Sequence, residues 1–237
     1  MRFVLERVTR TLESSTRRFE LDIPAFRVDR GEVIALVGDS GSGKTAMMEL
    51  LALAAAPDEG GRFVLTGDEE VDIAGLWRHA RLKDLAAARS RQLGFVAQTG
   101  GLLEFLTVRE NVALAQDVAG RHDRHRVERL ARTLGIDGVL DERPARLSIG
   151  QRQRTAILRA LAHRPAFVIA DEPTSALDPG TAREVIDLLL ETASGEGAGI
   201  LVSTHNVALM AHAGVETVHV VPAPGASHWV SRVERRR

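Results

Sequence analysis

The chain has 237 residues, of which 32 are acidic and 31 are basic, and its formal net charge is −1. This near balance excludes the strongly basic character of a dedicated nucleic-acid binder. The absence of cysteine excludes a disulfide scaffold and thiolate metal sites.

Two stretches with alternating and β-branched residues open the chain, and they predict two strands of an antiparallel sheet at residues 4–12 and 19–28. Residues 33–37 form a continuous apolar run, which is typical of a strand buried on both faces. A glycine-rich loop follows directly, and the helix formers after it predict a helix over residues 44–56. The longest apolar run, residues 50–56, is far shorter than the ~20 residues that span a bilayer. We therefore expect a soluble chain whose membrane role would come through a partner.

The rest of the chain alternates in the same way between strand and helix patterns. The further predictions, in chain order, are a strand at 63–71 with a turn at Gly67-Asp68, a helix at 76–92, a strand at 93–97, a mostly helical block at 107–161 with breaks at Gly120, 135–138 and Pro144, a strand at 167–170, a helix at 179–192, and strands at 200–204, 215–221 and 227–233. Buried strands that alternate with helices predict an α/β fold with a mainly parallel sheet. An N-terminal antiparallel β subdomain and an inserted α-helical subdomain complete this expectation.

The loop between the buried strand and the first helix fits the pattern G-x-x-x-x-G-K-[ST]. Its residues are Gly38, Asp39, Ser40, Gly41, Ser42, Gly43, Lys44 and Thr45. Glycines let successive backbone N–H groups point at phosphate oxygens, and the N-terminus of the next helix adds partial positive charge. Lys44 is expected to reach the β- and γ-phosphates of a nucleoside triphosphate and Thr45 to ligate Mg²⁺. The alternative is a glycine-rich turn that only connects strand to helix.

Two carboxylates, Asp171 and Glu172, end the apolar run at 167–170. Ligands of open α/β sheets collect at the carboxyl ends of strands. Asp171 is therefore a candidate Mg²⁺ ligand, and Glu172 is a candidate general base for the attacking water. The alternative is a helix N-cap followed by a solvent-facing charge.

Three further candidates are ambiguous when each is taken alone. Ser148 and Gln151 have the spacing of a capping box, so residues 147–151 could simply start a helix, although a capped N-terminus also binds anions. Gln98 could ligate Mg²⁺ or orient water, or it could be a surface glutamine. His205 could hydrogen-bond a γ-phosphate, or it could be a satisfied core histidine.

Taken together, these segments closely resemble the ATP-binding cassette (ABC) family in order and spacing, over about residues 2–222. Residues 38–45 resemble its Walker A loop, and the strand at 167–172 resembles its Walker B strand. The other matching segments are Gln98 with the Q-loop, 147–151 with the signature sequence, 175–178 with the D-loop and His205 with the switch histidine. The resemblance implies a P-loop core and a single nucleotide-binding domain. Within it, residues 1–98 and 162–237 would form the core with the β subdomain, and about 99–161 the helical subdomain.

The resemblance also implies a mechanism that needs two chains. Each ATP with its Mg²⁺ would lie between Walker A of one cassette and the signature of a second, where Ser148 and Gly150 reach the γ-phosphate. Asp178 falls in the segment that resembles the D-loop. Hydrolysis through Glu172 would reopen the pair, and an integral membrane subunit would dock near Gln98. Nucleic acid is not an expected partner.

Two departures from the family pattern concern Ile149 and Leu12. Ile149 stands where the family usually has glycine, and we expect slower turnover for that reason. Leu12 stands where an aromatic residue usually stacks on adenine, so the base would be held by aliphatic contact or by Phe19 after a loop shift.

The stretch around residues 94–112 is most similar to cassettes of the lipoprotein-release and macrolide-export type. It predicts a peripheral subunit on the cytoplasmic side of the inner membrane. The apolar cluster of Leu102, Leu103, Phe105 and Leu106 suits docking there, or it is subdomain core. The rival interpretations are a soluble cassette ATPase, for example in iron–sulfur assembly, and a small-molecule kinase, which the signature argues against.

Overall fold

The computed structural model describes residues 1–13, 18–58, 60–67, 69–223 and 229–235. The strands are β1 (Arg2–Glu13), β2 (Arg18–Asp29), β3 (Val33–Val37), β4 (Arg62–Thr66), β5 (Glu70–Asp72), β6 (Leu93–Val96), β7 (Phe167–Asp171), β8 (Gly199–Thr204), β9 (Glu216–Pro222) and β10 (Trp229–Arg235). The helices are α1 (Lys44–Leu51), α2 (Ile73–Arg78), α3 (Leu82–Gln92), α4 (Val108–Ala119), α5 (Arg124–Thr133), α6 (Ile149–Leu161), α7 (Pro179–Gly195) and α8 (Val207–His212). Over the described ranges, no helix is both long enough and apolar enough to cross a membrane.

The first of two compact units comprises Met1–Ala86 and Ser203–Arg237. Its strands lie in the order β5-β4-β1-β2-β10-β9-β3. β1 pairs antiparallel with β2 and with β4, which confirms the predicted antiparallel opening. β3 pairs parallel with β9, so the glycine-rich loop leaves the carboxyl end of a parallel strand.

The second unit comprises Ala87–Val202. Its strands lie in the order β8-β7-β6, with β6 and β7 parallel, and the last two residues of β8 are counted with the first unit. Helices α4, α5 and α6 lie between β6 and β7 in the chain. The first four residues of β7 are buried, as the apolar run predicted. The predicted α/β fold, with antiparallel N-terminal strands and parallel strands, is confirmed.

Side-chain caps explain where the helices of the second unit begin. Thr107 and Ser148 each cap a helix through a full capping box, in which the third helical residue returns a bond to the cap. Asp123 and Asp178 accept N–H bonds at the starts of α5 and α7, and Pro179 occupies the first turn of α7.

Two helix predictions were wrong in their extent, and one short helix was not predicted. The helix predicted over 44–56 ends at Leu51, since Leu53 adopts a left-handed conformation (φ 53°) that the helix cannot continue through. The helix predicted over 76–92 is two helices, α2 and α3, because Ala80 (φ 51°) is left-handed as well. The short helix α8 was not predicted; it is capped by Asn206, whose side chain accepts the Leu209 N–H.

Two predicted strands differ in detail from the observed ones. The strand predicted over 63–71 is two antiparallel strands, β4 and β5, with Gly67 in the turn; the neighbouring Asp68 lies outside the described residues. The closing strand predicted over 227–233 corresponds to β10, and its first two predicted residues also lie outside them.

Helix α6 packs closely against β6 because Gly94 has no side chain. This close packing can be tested. A Cβ atom added to Gly94 would overlap the backbone carbonyl of Ala160, which cannot move cheaply. We expect Gly94→Ala to lower the free energy of unfolding by about 1–3 kcal/mol, the usual cost of overpacking. Gly138→Ala is the matched control, because no atom lies within 4 Å of its added Cβ. Urea unfolding of the two variants measures the difference, and equal midpoints would contradict the overpacking.

Candidate functional site

The phosphate loop in the first unit is closed by its own lysine. Lys44 is buried at the start of α1, and its Nζ donates hydrogen bonds to the carbonyl oxygens of Gly38 (2.8 Å) and Asp39 (2.9 Å). A buried ammonium group needs such partners to offset the loss of water. The loop is therefore already curled around the lysine head group.

The N-terminus of α1 has no side-chain cap. Gly43 occupies the cap position with φ 104°, a conformation open to glycine, and Gly41 is left-handed as well. The first N–H groups of this helix have no partner inside the helix. This combination of uncapped N–H groups and a lysine is an anion site suited to phosphate.

Phe19 lies beside this loop without any shift of the chain. It pairs across the strands with Leu12, whose side chain is exposed. A Cβ on Gly43 would lie 2.6 Å from the ring atom Cζ of Phe19, so the ring is packed against the loop. Of the two residues predicted for contact with the base, Phe19 thus contacts the phosphate loop directly and Leu12 is its cross-strand neighbour.

His205 follows β8 and is exposed to solvent. The exposure excludes the core-histidine interpretation. The neighbouring Thr204 hydroxyl accepts the N–H of Asn206, so the chain turns sharply after the strand.

The two carboxylates in the second unit follow the buried strand β7. Asp171 is the last residue of β7, which excludes the N-cap interpretation, and both Asp171 and Glu172 are half-buried. Glu172 has φ 44°, a left-handed conformation that costs a non-glycine residue free energy. Ser175 holds this turn by donating its N–H (3.2 Å) and its hydroxyl (3.1 Å) to the Glu172 carbonyl. Such maintained strain is typical of functional positions.

The structure brings the predicted signature and D-loop residues together around one cavity of about 700 Å³. Its lining includes Ser148, Ile149, Gly150, Gln151 and Asp178. The cavity thus lies between the N-termini of α6 and α7.

The caps of these two helices have the geometry that their sequences predicted. Ser148 Oγ accepts the Gln151 N–H (3.2 Å), and Gln151 Oε1 accepts the Ser148 N–H (2.9 Å), which confirms the capping box. Asp178 accepts the N–H groups of Gly180 and Thr181, both at 3.1 Å. Both helix N-termini therefore face the same cavity, where the positive end of α6 is capped by a neutral hydroxyl and that of α7 by the Asp178 carboxylate.

An ion pair that the sequence analysis missed spans this cavity. Arg154 on α6 donates to Glu184 on α7 (3.0 Å) and to the carbonyl of Leu134 (3.3 Å). It connects the helix that carries Ser148 to the helix that begins at Asp178. The residues are far apart in the chain, so no local pattern indicated the pair.

The segment that follows β6 carries Gln98 and the predicted docking cluster. Gln98 is exposed, and the Phe105 side chain is 69% exposed, which is against its interpretation as core. Leu103 is 37% exposed, and the remaining two leucines of the cluster are half-buried. The segment therefore exposes the apolar side chain of Phe105 to solvent.

Oxygen donors of the type that Mg²⁺ prefers are present, but they do not form a metal cage. Among the described residues, no group of three or more His, Cys, Asp or Glu side chains could hold a metal ion. Thr45 in the first unit offers a hydroxyl, and in the second unit Gln98 offers an amide and Asp171 a carboxylate. Each is a donor type that suits Mg²⁺, which usually keeps several waters and binds substrate phosphates.

Comparison with known proteins agrees with this chemistry. A family model described as ABC transporter matches residues 21–175. The lipoprotein-releasing system ATP-binding protein LolD of Gluconobacter oxydans is 42% identical over 206 residues, which cover 85% of this chain and 86% of that protein. The uncharacterized ABC transporter ATP-binding protein YvcR of Bacillus subtilis is 41% identical over 184 residues, 76% of this chain and 67% of that protein.

Solved structures are similar over nearly the whole chain. The dimeric structure of MJ0796, a bacterial ABC transporter cassette, gives a TM-score of 0.79 at 26% identity and covers 99% of both chains. A dimeric post-hydrolysis state of MJ0796 bound to ADP and Pi gives a TM-score of 0.78 at 27% identity, over 92% of this chain and 93% of that chain.

The cap of α7 generates a prediction about acid stability. Hydrogen bonds from Thr181, through its side chain and its backbone N–H, and from the Gly180 N–H hold the pKa of the Asp178 carboxyl below its ordinary value. Its stabilising contribution is therefore present above about pH 3.9, the ordinary pKa, and is lost as the pH falls through the lower folded-state pKa.

Asp178→Asn keeps the cap, since Asn and Asp cap equally well, but it cannot titrate. We expect wild-type stability at pH 7 and a smaller loss than wild type below the ordinary Asp pKa, measured by urea unfolding across pH. Asp178→Ala is the control and should be less stable than wild type at neutral pH. Parallel curves for wild type and the Asn variant would contradict the assignment.

Proposed function

Since the chain belongs to the ABC transporter family and is the ATP-hydrolysing subunit of a transporter, we propose how its own residues perform this reaction. The phosphate loop between β3 and α1, with Lys44 already directed into it, carries the proposal. ATP binding is common to cassettes of this fold. The roles of individual residues, the second cassette and the membrane partner are inferred from the geometry described above.

Residues 38–45 bind the triphosphate. The uncapped N–H groups of α1 donate to phosphate oxygens, and Lys44 exchanges the carbonyls of Gly38 and Asp39 for β- and γ-phosphate oxygens. Phe19 and Leu12 lie on the base side of the loop and contact the nucleoside through apolar surface. Neither side chain can hydrogen-bond to a base edge, so the discrimination between ATP and GTP is weak.

Few protein groups would hold Mg²⁺. Thr45 would supply a hydroxyl oxygen, Gln98 an amide oxygen, and Asp171 a carboxylate oxygen, directly or through water. When bound, the ion neutralises charge on the β- and γ-phosphates. The protein's part is to keep these donors in place, which the buried strand β7 does for Asp171.

Glu172 is the general base for the water that attacks the γ-phosphate. Its left-handed backbone is maintained by the two bonds from Ser175 to its carbonyl, which hold the turn that carries this side chain. His205, exposed after β8, donates a hydrogen bond to the γ-phosphate. A positioned base of this kind is worth about 10²–10⁴ in rate.

A second cassette completes the site. The cavity at the N-termini of α6 and α7 has the helix polarity to accept a phosphate, but its lining contains no glycine-rich loop and no lysine. Ser148, Gly150, Gln151 and Asp178 therefore act on the nucleotide bound by another cassette. The dimeric state of MJ0796 supports this arrangement. A second copy of this chain is the simplest partner.

An integral membrane subunit docks on the segment that contains Gln98 and Phe105. The chain is then a peripheral subunit, and we infer that it lies on the cytoplasmic face of the inner membrane. The relatives described above are named as transporter ATP-binding proteins, among them a lipoprotein-releasing type. That favours a cassette of the lipoprotein-release or macrolide-export type over a soluble cassette in iron–sulfur assembly.

The role of Glu172 has a direct test. Glu172→Gln keeps the size and loses the base, so we expect ATP binding to persist and turnover to fall about 10²–10⁴-fold. Phosphate release and equilibrium nucleotide binding measure the two quantities separately. Glu191→Gln, which removes an exposed carboxylate of α7, is the matched control and should hydrolyse at the wild-type rate. Wild-type hydrolysis by the Glu172 variant would exclude it as the base.

Ile149 provides a second test, at the proposed interface. Its side chain is 61% exposed beside Ser148, and its branched Cβ takes space on the face that meets the second nucleotide. We expect Ile149→Gly to raise ATP turnover severalfold, measured as kcat at saturating ATP. Ile149→Val keeps the branch and should remain as slow as wild type. An unchanged kcat for the glycine variant would show that Ile149 does not limit turnover.

A further inference from the structure

Residues 100–107 form the segment that contains the exposed Phe105. A side chain from α6 hydrogen-bonds to the start of this segment. Arg159 donates one guanidinium hydrogen bond to the carbonyl of Gly101 (2.6 Å) and one to the carbonyl of Gly100 (2.9 Å). Both glycines have left-handed backbones, φ 58° and 76°, and this turns their carbonyls toward the same guanidinium.

The Arg159 contact is one that only arginine makes well. Among the described residues, the guanidinium has no carboxylate partner, and burial lowers its pKa from the ordinary value. The planar fork offers two parallel N–H groups to two adjacent carbonyls, whereas a lysine ammonium is a point charge. The charged Arg159 side chain is thus half-buried, and its hydrogen bonds go to the carbonyls of Gly100 and Gly101.

The far end of the same segment is fixed from α4. Asn111 is buried, and its Oδ1 accepts the Leu103 N–H (2.8 Å). Its Nδ2 donates to the carbonyls of Leu103, Leu106 and Thr107 at 2.9–3.2 Å. Residues 100–107 are therefore held by Arg159 from α6 and by Asn111 from α4. Of these two helices, only α6 begins at the cavity.

Helix α6 connects that cavity to the segment. Ser148 caps its N-terminus, and Arg159 lies eleven residues further on, about 16 Å along the axis at 1.5 Å per residue. After Gly150 the helix contains neither glycine nor proline, so it has no sequence cause for a kink. Arg152, between the two ends, also reaches Glu104 of the segment at 3.4 Å.

We propose that Arg159 is a positioning residue that couples the signature end of α6 to residues 100–107. When Ser148 and Gly150 engage the nucleotide of a second cassette, α6 moves as a rod and Arg159 moves the segment with it. The coupling runs both ways, since a partner docked on Phe105 then biases the position of Ser148. This rests on the proposed function, in which the start of α6 contacts the second nucleotide.

The test measures amide hydrogen exchange of residues 100–107 in the full chain. It uses Glu172→Gln as background, with and without ATP and Mg²⁺, and follows dimerisation by light scattering. We expect ATP to slow exchange in this segment about threefold to tenfold. Arg159→Met should still form the ATP-dependent dimer while the response of the segment is lost. Arg159→Lys, which keeps the charge without the fork, should retain part of the response.

Two controls separate coupling from simple loop ordering. Asn111→Asp removes the amide donor that bonds to carbonyls of the segment and leaves α6 unchanged. In this variant residues 100–107 should exchange faster overall but still respond to ATP. Arg152→Gln removes only the long contact to Glu104 and should respond as the background does. If Arg159→Met does not fold, as judged by circular dichroism, the lysine variant carries the test, and a full response in it overturns the proposal.

The outcomes are distinguishable. If ATP produces no dimer in the Glu172→Gln background, the proposed function fails and this inference fails with it. If the dimer forms and the segment does not respond, or responds equally in Arg159→Met, then the inference alone is overturned. Loss of the response in both Arg159→Met and Asn111→Asp would assign Arg159 an ordering role only and would also overturn it.

Discussion

The first turn of an α-helix leaves several N–H groups without partners inside the helix, and this chain solves that constraint in two different ways. At α1 the cap position is Gly43, which has no side chain to accept a bond. At α6 and α7 the caps are Ser148 and Asp178, which do accept bonds. The uncapped helix thus has N–H groups available for a tightly held phosphate. In α6 and α7 the caps already occupy some of the first N–H groups, and fewer remain for a ligand. This suits the proposed role, in which these helix ends bind and release a second nucleotide.

Local patterns predicted most of the fold and most of the candidate site residues. The strand β3 was predicted with its correct ends because an apolar run between two turns has few alternative structures. The capping box at Ser148 was predicted because its chemistry depends on four consecutive residues. The ends of α1 at Leu51 and of α2 at Arg78 were not predicted. They depend on the left-handed conformations of Leu53 and Ala80, and such a conformation at an ordinary residue is imposed by its surroundings and leaves no mark in the sequence.

Contacts over long sequence separations explain the rest. Arg159 grips carbonyls 58 residues earlier in the chain, and Arg154 pairs with Glu184 30 residues later. Taken as sequence, both arginines look like solvated charges on an amphipathic helix. Their roles follow from where the neighbouring chain segments fold, which only the three-dimensional structure reveals. The candidate site residues that the sequence predicts are those whose chemistry depends on neighbours in the chain.

Helix α6 consequently serves three purposes at once. Its N-terminus lines the cavity that it shares with α7, its apolar face fills the core of the second unit, and its arginines hold α7 and the segment that presents Phe105. The close approach of Gly94 to Ala160 seats the end of this helix on β6. A helix fixed at so many points favours motion as one body over local bending.

The bonds from Lys44 to its own loop carbonyls have a consequence for selectivity among phosphate compounds. An incoming ligand does not fill a vacant socket; it must displace two internal acceptors and offer at least as many oxygens in return. A triphosphate tail offers oxygens along its whole length, so it can replace both carbonyls and still accept bonds from the N–H groups of α1. The binding free energy of any phosphate compound at this loop therefore includes the cost of breaking the two bonds from Lys44, so the lysine also sets a threshold for ligand entry.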